Sequence, residues 1–129
     1  MTDKTYTFAV GAEMHRDYIR AAVRGSLENH SSHNVWYGTE YVNAAVGMAR
    51  EGGLSDAPAW ELTKAQLVTL VRAIEFVRAR VKYGQVVAGV PSSALDELVQ
   101  LEERLNKKLR EVWHDEGRWW MCGCKPLWT

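Results

Sequence analysis

Arg16, Arg20 and Arg24 recur at every fourth position. On a helix turning about 100° per residue they share an arc of about 80°, roughly opposite a face holding Met14 and Tyr18. Like charges at this spacing repel by a few tenths of a kcal/mol per pair. Guanidinium forks bind phosphate and carboxylate oxygens bidentately, so a phosphate-bearing ligand turns that repulsion into attraction. Trp36, Tyr37 and Tyr41 follow, and an aromatic ring can stack on a base. These six residues are the expected site of an anionic, nucleotide-like ligand. The plainer reading is a solvated face, with Glu13 pairing with Arg16, Asp17 with Arg20 and Glu28 with Arg24. On the ligand reading, Arg20→Ala abolishes binding and leaves the unliganded protein as stable as before.

His114, Cys122 and Cys124 are the nearest approach to a metal site. Zinc takes thiolate and imidazole ligands, usually four, and the fourth would come from His15, His30 or His33. Cys-x-Cys is tighter than the common zinc-knuckle spacing, so two thiols in an aromatic tail is the plainer reading. His30 and His33 flank Ser31 and Ser32, but no carboxylate at a recognisable spacing orients a base there. The chain has no phosphate loop, dinucleotide fingerprint, nucleophile elbow or HExxH pattern. No cofactor is expected on the main reading, and zinc on the alternative.

A third group lies farther along. Arg72, Phe76 and Tyr83, with Ala79 and Arg80 beside them, point away from a Leu67–Val81 stripe on the same helix. A helix in a lone small bundle needs one apolar stripe. A second face is buried between layers, forms a subunit contact or offers a stacking platform. We expect Arg72, Phe76 and Tyr83 at an interface between copies.

The elements that position these residues read as mostly helical. Thr5 to Val10 alternates and favours one short strand, with Val35-Trp36-Tyr37 and Gln85 to Val90 as the candidate partners. A first helix runs from Ala12 to about Asn29, with an apolar face of Met14, Tyr18, Ala21, Ala22 and Gly25, widened by Ile19, Val23 and Leu27. A second, weaker one runs from Thr39 to about Glu51 and stops at Gly52-Gly53. Thr63 and Gln66 form a capping box for the third, whose Leu67, Leu70, Val71, Ile74, Val77 and Val81 follow at spacings of three and four. The fourth starts at Ser92 or Ser93 after Pro91 and carries Leu95, Leu98, Leu101, Leu105, Leu109, Val112 and Trp113 on one face. The expected fold is a helical bundle with a long C-terminal helical hairpin and a small N-terminal β element.

At 129 residues and 47% apolar content the chain fits one domain, 1–129, burying about two thirds of its surface. Sixteen basic and sixteen acidic residues cancel, which argues against a dedicated duplex-DNA binder. Residues 61–90 are locally positive, with Lys64, Arg72, Arg78, Arg80 and Lys82 against Glu61 and Glu75. No apolar run reaches the roughly 20 residues of a membrane span, and a cytoplasmic location is expected. The reading these features favour is a non-enzymatic binding protein that works as a homo-oligomer. Its context would be that of an accessory or viral protein capturing an anionic ligand or blocking a host protein. The alternative is a small zinc module or metal-dependent enzyme using His114, Cys122 and Cys124.

Overall fold

Strand-forming Thr5–Ala9 is the first element of the computed structural model, which describes residues 4–28, 39–50, 53–115 and 117. This strand, β1, pairs antiparallel with β2 (Ala59–Thr63), Phe8 opposite Trp60 and Thr5 opposite Thr63. This partner is not among those expected from sequence: Gln85 to Val90 forms only a Val87–Val90 bridge, and Val35-Trp36-Tyr37 lies outside the described residues. β2 escapes a sequence reading because it runs without a turn into the cap of the next helix. Its inner side buries Trp60 and Leu62 against Phe8 and Val10. The Trp60 indole N–H donates to the Ser55 carbonyl (3.0 Å), satisfying the one polar group on that ring.

Four helices follow among the described residues: α1 (Glu13–Glu28), α2 (Thr39–Ala49), α3 (Lys64–Lys82) and α4 (Leu95–Asp115). The capping box at the start of α3 is present, with the Thr63 hydroxyl accepting from the Gln66 amide and the Gln66 side chain accepting from the Thr63 amide. A turn of 3-10 helix, Ser92–Ala94, leads into α4, whose first turn carries Asp96 and Glu97 at the positive end of the helix dipole. α3 and α4 form the expected hairpin. Leu67, Leu70, Ile74, Leu98, Leu101 and Leu105 are fully buried in one core, and Arg78 and Glu102 pair across the two helices.

α1 is rotated toward the Ile19 and Val23 side of its predicted apolar face: Ile19, Ala21, Ala22 and Val23 are buried as expected, and Met14 is not. Met14 is 48% exposed, and the buried residues are Ile19, Ala21, Ala22, Val23 and Ser26. The β-branched Ile19 and Val23 anchor the helix. Ser26 tolerates burial because its hydroxyl donates to the Val23 carbonyl (2.9 Å). The rotation puts the arginine row on the flank of the buried face rather than opposite it. Thr69, fully buried on α3, donates to the carbonyls of Ala65 (2.8 Å) and Tyr41 (3.3 Å), which ties α2 to α3. No helix among the described residues is long and apolar enough to cross a membrane.

Candidate functional site

Rotation of α1 brings Arg20 and Arg24 to a groove between α1 and α3, roofed by residues 86–89. Small residues make the roof possible. Gly89 has φ +83°, a conformation that disfavours side chains, and a Cβ there would sit 3.1 Å from that of Ala21. The groove encloses about 710 Å³, within the roughly 300–1,000 Å³ of small-molecule sites. Phe76 and Arg80 line its α3 side.

The arginines differ in what already holds them. Arg20 donates to the Leu54 carbonyl (2.8 Å) and to Asp56 (2.7 Å), and lies 3.6 Å from Asp17. It fastens α1 to the segment before β2. The Arg20 guanidinium, by hydrogen bond and by charge, holds the Asp56 carboxyl below the usual carboxylate range. Arg20→Ala would therefore remove a structural tie, and a loss of unliganded stability is expected in place of the unchanged stability read from sequence. Arg16 does not line the groove, and its Nε is shut from solvent without a hydrogen-bond partner among the described residues.

Arg24 is exposed and has no ion pair or hydrogen bond among the described residues; Glu28, one turn on, does not reach it. The Arg80 guanidinium lies 5.2 Å from the centre of the Phe76 ring. Resting a guanidinium on an aromatic face limits its motion and leaves the N–H fork directed outward. Phe76 thus supports Arg80 rather than offering a free ring face. Asp17 and Glu28 also line the groove, which gives three arginines against two acids among the described residues.

The predicted aromatic partners are not brought to this groove. Trp36 and Tyr37 lie outside the described residues. Tyr41 is half-buried in the first turn of α2 and does not line the α1–α3 groove. The expected interface strip is divided: Arg72 is exposed and 3.5 Å from Glu75, Phe76 packs against the monomer's own core, and Tyr83 is 77% exposed. His114 sits exposed in the last turn of α4, while Cys122, Cys124, His30 and His33 lie outside the described residues. Among the described residues no three His, Cys, Asp or Glu side chains are placed to hold a metal ion.

Sequence reasoning held Arg24 and Arg80 on separate helices and did not bring them together. The available signal was the run of small residues, Ala21 and Gly25 on one helix and Gly89 on the loop, that permits close approach. Comparison of the chain with protein-family models, curated proteins and solved structures finds no match.

Proposed function

We propose that the protein is a non-enzymatic binding protein that captures a small anionic, nucleotide-like ligand in the groove between α1 and α3. One observation carries the reading: Arg24 and Arg80, from two different helices, face one groove without ion-pair partners among the described residues, and Phe76 steadies one of them. Each guanidinium–phosphate contact contributes about 1.5–3 kcal/mol, so Arg80→Ala should weaken binding by roughly 10- to 150-fold. Calorimetric titration with a panel of mono- and dinucleotides measures this. The unliganded melting temperature should barely move, because Arg80 gives up only its contact with Phe76. Absence of heat from every nucleotide, or equal affinity in Arg24→Ala, Arg80→Ala and wild type, would sink the reading.

A second observation favours self-association. Tyr83 is 77% exposed and Val86, at the groove's edge, 91% exposed. Two large side chains three positions apart and so fully in water suit a contact between copies. Light scattering on wild type should give a mass above 14.6 kDa, and Tyr83→Asp should return it to that value with the helical signal intact. Phe76 is unsuited to this test, since Asp there would damage the monomer's own packing. A monomeric wild type removes the homo-oligomer.

A further inference from the structure

Arg24 lines a second groove as well as the first. This one, of about 540 Å³, lies between α1, the end of α2 and the segment before β2, and is also lined by Arg20, Arg50 and Asp56. Arg20 and Asp56 satisfy each other. Arg50 is exposed and has no ion pair or hydrogen bond from its side chain among the described residues. Its place is set by tight packing after α2. The Gly53 amide donates to the Arg50 carbonyl (2.9 Å), and a Cβ on Gly53 would collide with the carbonyl oxygens of Gly47 and Met48. Those carbonyls form the negative end of α2, whose roughly half a charge offsets only part of the full positive charge on the Arg50 guanidinium.

Three guanidiniums without ion-pair partners among the described residues therefore stand in sequence: Arg80 on α3, Arg24 on the α1 ridge and Arg50 past α2. A mononucleotide in the first groove leaves Arg50 uncompensated. An anion with phosphates spaced along a backbone can meet all three, one groove holding each end and Arg24 the middle. We infer that the ligand is a dinucleotide or short single strand whose spaced phosphates bridge the two grooves across Arg24. This rests on the reading of the first groove as a nucleotide site.

The test compares AMP, the 5′-phosphorylated dinucleotide pApA and a ten-nucleotide oligo(dA) by calorimetric titration against wild type and Arg50→Gln. Glutamine keeps a polar side chain at the helix end and removes the charge; its melting temperature checks the fold. The inference expects pApA to bind wild type at least about tenfold tighter than AMP. Arg50→Gln should erase that advantage, leave AMP affinity unchanged, and reduce the slope of log affinity against log salt for pApA by about 0.7. Oligo(dA) no tighter than pApA identifies a free dinucleotide as the source of the phosphates, and a tighter oligo(dA) a longer strand; either supports bridging. If AMP binds but pApA binds no tighter, or Arg50→Gln weakens both alike, the bridge is overturned while the first groove stands. If none of the three binds, the reading of the first groove fails and the bridge falls with it.

Discussion

Replacing Leu105 with alanine is expected to lower the unfolding free energy by about 2–5 kcal/mol in urea titration. Leu105 is fully buried on α4, in the core shared with Leu70, Ile74, Leu98 and Leu101. Two contributions add: the lost transfer of the side chain from water, and the cavity that packed neighbours only partly close. The loss is a large part of the 5–15 kcal/mol typical of a whole domain. A drop below about 0.5 kcal/mol would show that this stripe does not form the core.

One residue earlier, Arg104→Met is expected to cost about 1.5–3 kcal/mol through a different cause. The Arg104 guanidinium donates to the carbonyls of Val10 (3.0 Å) and Ala9, and lies 5.2 Å from the centre of the Phe8 ring. It thereby ties α4 to the turn between β1 and α1. Methionine keeps the stem and removes every donor, leaving the two carbonyls without this partner. Arg104→Lys should recover only part of the loss, because an ammonium has no planar fork. A methionine variant as stable as wild type would show that water serves those carbonyls equally well.

The same clamp makes stability depend on pH. The Arg104 guanidinium lies 3.3 Å from Nδ1 of His15, and it can donate there only to a neutral ring with its proton on Nε2. Burial and then the Arg104 charge lower the His15 pKa, outweighing Glu97 and the Val10 backbone, which raise it. The folded state thus takes up this proton less readily than the unfolded chain. Stability is fully present above the unfolded value near 6.5 and declines as pH falls below it, until the folded protein is protonated as well. Unfolding followed between about pH 7.5 and 5 should show a shallower decline for His15→Gln than for wild type. Parallel curves would show that His15 has no part in it.

Leu105 and Arg104, adjacent in the chain, mark the division between what the sequence determined and what it left open. Helical periodicity is local: residues three and four apart share a face whatever lies elsewhere. The leucine series of α4, the stripe of α3 and the Thr63–Gln66 capping box were therefore legible, and with them the hairpin. α1 was harder to read, because alanine and serine accept either environment and only Ile19 and Val23 marked its buried side. β2 offered only Trp60 and Leu62 as alternating apolar residues, and its pairing with β1 closes the long loop from residue 10 to residue 58. Polar partnerships depended most on tertiary structure. Arg104 reads as one charge on a solvated face, yet its acceptor Val10 lies 94 positions away. Arg24 and Arg80 likewise share a groove only because α1 turns its flank toward α3. Periodicity assigns a face to water or to the core; a guanidinium at the margin of that face takes its partner from whichever distant element packs beside it, and packing alone decides which element that is.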